Sequence, residues 1–253
     1  MSHAKVETVF GSSVPGGMPE QTFRLFALST EPTVPFYKNP DEDHCLQACL
    51  RMALGAVEPD RQYSWAELDR LSFKSPGSWT WPAGTILSLH DLGWYGSRLI
   101  DPLDYQRFSQ EGEAYLSQYY ADPEVAAAVI ANTEISQEMG LAAELVEKGL
   151  FEQREPEIED VISVLSKGGL AMAILNARQL QGKAGYEGHF VVLTSFDPGE
   201  ETVTFHDPGI NGENFQERAE LAIEAFEEAW QVRSLMVLVP DGAYNFTRES
   251  INR

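Results

Sequence analysis

The sequence predicts an α+β fold, with an N-terminal helical part packed on a C-terminal antiparallel sheet. Three observations predict it. Helical patterns come first along the chain and strand-like runs come late, the order of an α+β fold rather than of alternating βαβ units. The apolar runs at 189–196 and 202–206 flank a turn at Asp197-Pro198-Gly199, so they read as a hairpin. No internal repeat, low-complexity segment or Pro/Gly linker divides the 253 residues. One domain is therefore expected over 21–242, between a loose Gly/Ser/Pro-rich arm at 1–20 and a tail at 243–253.

The elements come in order. Residues 22–28 alternate well enough for a strand, and the proline-rich acidic stretch 30–43 reads as extended and irregular. A helix then opens near Asp43, a candidate cap, and carries Leu46, Cys49, Leu50, Ala53 and Leu54 as an apolar stripe at three-to-four spacing. Ser64-Trp65-Ala66-Glu67 is a capping box for a short helix ending near Leu71. A loop at 75–84 holds Trp79 and Trp81, a helix at 85–92 closes at Gly93, and 94–100 suits a strand. From 101 to about 149 the pattern is helical throughout, broken near Pro123 and Asn132. A helix at 157–167 stops at Gly168-Gly169 and leads into a buried strand at 170–175. Three glycines make 176–188 a flexible loop and a candidate lid, and the hairpin comes next. An amphipathic helix is expected at 218–230 and a last strand at 234–239.

Composition narrows the function. Acidic side chains number 39 against 18 basic ones, for a formal net charge of −21. Phosphate backbones and anionic membrane surfaces are repelled by such a chain, so neither nucleic acid nor membrane is an expected partner. With 43% hydrophobic and 11% aromatic residues it is not a disordered acidic tail. No apolar run has the length of a membrane span, and no secretory signal pattern opens the chain. Its two cysteines, Cys45 and Cys49, lie four apart on one predicted helix, a spacing ill suited to a disulfide. Free thiols imply a reducing, cytoplasmic setting. The densest acidic runs, 144–160 and 213–228, lie away from the residues that could carry chemistry, so the acidity reads as solvated outer helices.

Those residues are few. Cys45 falls in the first turn of its helix, where unpaired amides and the helix dipole favour thiolate over thiol. His189 opens a strand after the Gly-rich loop and suits a base that pairs with the thiolate. Asp207 comes just after the next strand in His206-Asp207-Pro208-Gly209, so a hairpin would return it beside His189, where it could orient the imidazole. About 140 residues separate Cys45 from His189, a spacing found in papain-like enzymes. Cys49 reads as a small core residue. Trp79, Trp81, Trp94 and Tyr95 suit the core better than a cleft lining. His44, Cys45 and Cys49 lack a second Cys/His pair at zinc spacing, so no metal is expected, and no cofactor motif is present.

The stretch Asp43-His-Cys-Leu-Gln-Ala-Cys-Leu-Arg-Met52 resembles the nucleophile helix of C39-like cysteine peptidases, a branch of the papain-like fold. Cys45 and Ala48 match the family's Cys-Gly-x-Ala pattern, and Leu50 and Met52 match its succeeding Leu and Met, while Leu46 replaces its Gly. Gly188-His-Phe-Val-Val-Leu193 resembles the family's histidine segment, and Asp207-Pro208 its Asp-Pro motif. The unit at 157–175 and the pair Phe226 and Trp230 are also similar. The resemblance runs from near Val34 through the Cys45 helix and again over about 155–240; a helical insertion at about 101–155 has no counterpart. It implies a papain-like peptidase or amidase with a Cys45, His189, Asp207 triad, acting on a peptide or amide through a thioester. Where the family places a Gln that helps stabilise the oxyanion, six residues before the Cys, this chain has Asn39, one methylene shorter. An acyltransferase would use the same triad, and a catalytically weak peptide-binding module would keep the same scaffold. Substrate and oligomeric state are left open.

Overall fold

The computed structural model describes residues 33–210 and 212–239. The arm at 1–20, the strand expected at 22–28 and the tail at 243–253 lie outside the described residues. Seven strands form a single sheet of order β2-β1-β7-β3-β4-β5-β6, and ten helices accompany it among the described residues. The strands are β1 (Arg98–Asp101), β2 (Phe151–Gln153), β3 (Leu170–Asn176), β4 (Gly188–Asp197), β5 (Thr202–Asp207), β6 (Gln216–Ala222) and β7 (Val232–Leu238).

The centre of the sheet is antiparallel and buried on both faces. Successive residues of a strand point to opposite sides. Met172, Phe190, Val192, Met236 and Leu238 therefore enter one apolar layer, while Ala171, Ala173, Val191, Leu193, Leu235 and Val237 enter the other. This is why 170–175 and 189–193 read as unbroken apolar runs. The first layer is covered by α1 (Cys45–Val57), α2 (Trp65–Leu71), α3 (Pro82–Asp91) and the group α4 (Tyr105–Glu111), α5 (Glu113–Tyr119), α6 (Pro123–Ala131) and α7 (Ile135–Glu147). The second is covered by α8 (Ile158–Leu165) and α10 (Ile223–Ala229), with Phe226 and Trp230 fully buried.

Three features differ from the sequence expectation. The sheet is not wholly C-terminal: β1 and β2 come from the ends of the helical stretch 98–153, and they pair in parallel. Four helices, α4–α7, make the crossover that a parallel pair requires. Residues 216–222 form the edge strand β6 against β5, in place of the helix expected from 218. The loop after β3 contains a short helix, α9 (Ala177–Leu180), and is tied down by Asn176. The Asn176 amide donates to the Gly185 carbonyl at 3.0 Å, and its oxygen accepts from the Arg178 and Glu187 amides at 3.1 Å each.

Helix α1 is the element that positions the site. Leu46, Ala48, Cys49, Leu50, Met52, Ala53 and Leu54 are all buried, so the helix is enclosed on nearly every side and packs on β4. The extended segment before it lies along the helix. Pro35 sits where a side chain at Gly55 would go, with its Cγ 2.7 Å from the Cβ position, and the Arg51 guanidinium stacks on Tyr37 at 4.2 Å. No helix among the described residues is long and apolar enough to cross a membrane.

Candidate active site

The start of α1 leaves its first amides without a side-chain cap. His44 is the N-cap residue, and no side chain caps the helix. The expected cap, Asp43, does not serve; Asp41 instead accepts from the Asp43 and His44 amides at 2.8 and 3.1 Å and from His44 Nδ1 at 2.8 Å. The loop is thus folded upstream of the helix, and the first-turn N–H groups remain available to an anion. Cys45 stands there, partly exposed, while Cys49 one turn on is buried.

The hairpin forms as the sequence predicts. Its turn is closed by Asp197, whose carboxylate accepts from the Gly199 and Glu200 amides at 2.7 and 3.1 Å. The register runs from Asp197↔Thr202 to Val192↔His206, with an irregularity between Leu193 and Ser195. Beyond His206 the ladder between the two strands stops. Asp207 there turns its carboxylate to His189, whose Nε2 lies 2.8 Å from Oδ1. The same Oδ1 accepts from the Gly209 amide at 2.7 Å. Gly209 is required at that position: its φ is +72°, and a Cβ would collide with the Glu213 carbonyl oxygen. His189 and Asp207 are both buried, at 2% and 6% exposure.

With Nε2 committed to Asp207, Nδ1 is the ring nitrogen left to face Cys45, and the thiol and the imidazole act on each other electrostatically. Burial opposes the charged forms of both groups. It is outweighed at Cys45 by the His189 hydrogen bond and charge and by the Phe190 and Leu46 amides, so the thiol ionises below its usual range. At His189 the hydrogen bonds from Asp207 and Cys45 overcome burial and raise the imidazole to about 10. Each of the two groups thus favours the charged form of the other. Cys49 behaves oppositely: burial, then the charges of Cys45 and Asp207, push it well above the thiol range.

Asn39 is brought to the same region by its backbone. Its amide donates to the Pro208 carbonyl at 2.8 Å, next to Asp207 in sequence, while Asp41, two residues on, holds the backbone of His44. The Asn39 side chain is fully buried, and its oxygen accepts from the Asp41 amide at 3.3 Å. Its Nδ2 has no hydrogen-bond partner among the described residues. A buried donor without a partner costs stability, and an arriving acceptor would relieve that cost.

The neighbouring histidine, His206, has a different part. Its Nδ1 accepts from the Arg218 amide at 3.0 Å, so Nε2 carries the proton that goes to the Val34 carbonyl at 3.1 Å. It joins β5, β6 and the segment leading to Asn39, and burial lowers its pKa. The aromatic candidates separate. Trp94 is in the core, Trp81 stacks on Phe108 with ring centroids 5.2 Å apart, and Trp79 and Tyr95 are exposed. The Lys38 ammonium sits 3.4 Å over the Phe215 ring. Among the described residues no group of three His, Cys, Asp or Glu side chains is placed to hold a metal ion.

Comparison with known proteins adds little to this geometry. No family model matches the chain, and no curated protein matches it. Among solved structures, a protein from Bacillus anthracis provisionally described as a C39-like peptidase is similar to it at 19% identity and a TM-score of 0.27. That similarity covers 41% of this chain and 57% of the other, less than two thirds of its length.

Proposed function

We propose that the chain is a cysteine-dependent hydrolase of peptide or amide bonds, with Cys45 as nucleophile, His189 as acid and base, Asp207 as the group that orients His189, and Asn39 as an oxyanion donor. The observation that carries this reading is the buried His189–Asp207 pair, 2.8 Å apart, set beside Cys45 at the uncapped start of α1. The Cys45 thiolate attacks the substrate carbonyl carbon, and the carbonyl π electrons move to oxygen. The Cys45 amide and Asn39 Nδ2 donate to that oxyanion. His189 gives its Nδ1 proton to the leaving amine as the C–N bond breaks, leaving a thioester. His189, now neutral, takes a proton from water as it attacks the thioester, and Cys45 leaves as thiolate.

The test is turnover. The protein is incubated with a peptide and amide library, with and without added primary amines, and products are read by mass spectrometry. Cleavage that disappears in Cys45→Ala, with a Cys45-linked acyl adduct under rapid quench, supports the reading. Products joined to the amine identify acyl transfer on the same triad. Peptide binding with no Cys45-dependent turnover and no adduct refutes a catalytic role.

A further inference from the structure

The inference rests on that reading of Cys45: one residue beside it, Phe190, has an arrangement that neither strand pairing nor core packing accounts for. In an antiparallel strand the N–H and C=O of one residue point to the same side, towards one neighbour. Phe190 lies opposite Ile174 on β3, but β5 begins to pair with β4 only at Val192. No strand partner therefore reaches Phe190 on the β5 side. Helix α1 takes that place. The Cys49 thiol donates to the Phe190 carbonyl at 3.3 Å, and the Phe190 amide is turned to the Cys45 sulfur, where it favours the thiolate. Two thiols one helical turn apart thus hold the two polar groups of a single residue, the one directly after His189.

We infer that Cys49 is a positioning residue for the nucleophile: by anchoring the Phe190 carbonyl it holds the Phe190 amide on Cys45 and fixes the start of β4, which carries His189, against the first turn of α1. It touches no reacting atom. Its own thiol stays protonated, because burial and the charges of Cys45 and Asp207 disfavour a second thiolate, and a protonated thiol is what the donor role requires. An aliphatic residue at 49 would fill the core equally well but would leave the buried Phe190 carbonyl without a donor.

The experiment measures the pH dependence of iodoacetamide alkylation at Cys45, by peptide mass spectrometry, in wild type, Cys49→Ala, Cys49→Val and Cys49→Ser. Melting temperatures are recorded alongside. Loss of the anchored amide raises the Cys45 ionisation midpoint by about one pH unit in Cys49→Ala and Cys49→Val, which lowers the rate roughly tenfold at pH values below both midpoints. Cys49→Ser restores a donor and returns the midpoint towards wild type. Wild-type profiles in the Ala and Val variants overturn the inference. So does an equal displacement in all three variants, Ser included, which would mean packing alone. An ordinary thiol midpoint in wild type would sink the triad reading as well, and the two failures are distinct: in that case no variant has a low midpoint to lose.

Discussion

Replacing Asp207 with Asn keeps the size of the side chain and an acceptor oxygen for both the His189 ring and the Gly209 amide, but removes the negative charge. In the intact protein His189 rises from 6.5 to about 10 although burial opposes the rise. The hydrogen bonds to Asp207 at 2.8 Å and to Cys45, with the charges of both, produce it. If the two partners contribute comparably, Asp207→Asn brings His189 down by about 2 pH units, roughly 2.7 kcal/mol at 1.36 kcal/mol per unit. The imidazole then titrates near pH 8 instead of near 10, and its charge is lost within the range where an acyl transfer must protonate a leaving amine. The assay needs no substrate. The chain has 5 histidines, so ¹⁵N labelling of histidine gives few resonances, and His189→Gln assigns the one that matters. A fall of about 2 pH units is expected in the variant. A His189 resonance that titrates at the same pH in both proteins would refute the claim that Asp207 holds the imidazolium.

Three other outcomes rest on the same geometry. Asn39→Ala removes the unpartnered Nδ2 donor, so kcat should fall on the order of 100-fold while the Cys45 ionisation midpoint stays in place; an unchanged kcat rejects the oxyanion role. Gly209→Ala meets a positive φ of 72° and a collision of the new Cβ with the Glu213 carbonyl oxygen, which should cost about 3 kcal/mol and lower the melting temperature by roughly 6–12 °C. Glu138 on α7 is buried at 3% exposure, which pushes its carboxyl from 4.5 up to about 8. Because the folded value lies above the unfolded one, its contribution is fully present below pH 4.5 and is lost as pH rises through 8. Glu138→Gln should therefore be more stable than wild type at pH 9 by about 5 kcal/mol and nearly equal at pH 4, measured by urea unfolding.

The sequence was legible wherever local signals agreed with tertiary pairing. The capping box at Ser64, the hairpin turn at Asp197 and the place of Cys45 in the first turn of α1 are local, and the structure keeps all three. The meeting of His189 and Asp207 could be anticipated because hairpin pairing fixes where a residue after the second strand returns. Strand β6 could not be anticipated. Gln216–Ala222 is rich in Glu and Ala, which favour helix, yet pairing with β5 overrides that preference. The irregularity there is visible at Arg218, whose φ is +55° and whose amide goes to His206. The three residues of β2 are too short to carry a periodic signal. Cys49 belongs to the apolar stripe of α1, so its thiol donor to a strand 141 residues away leaves no trace in spacing. The cap expected of Asp43 is made by no side chain; Asp41 instead binds the Asp43 and His44 amides, upstream of the first turn.

The central claim is that Cys45 is a thiolate held by His189. Its most direct test is the ultraviolet absorbance of thiolate, titrated from pH 4 to 10 in wild type, Cys45→Ala and His189→Ala. A thiolate so held gives an ionisation in wild type below the ordinary thiol value of 9.0, absent in Cys45→Ala and moved upward in His189→Ala. An ionisation near 9 in wild type that His189→Ala leaves unmoved would contradict it.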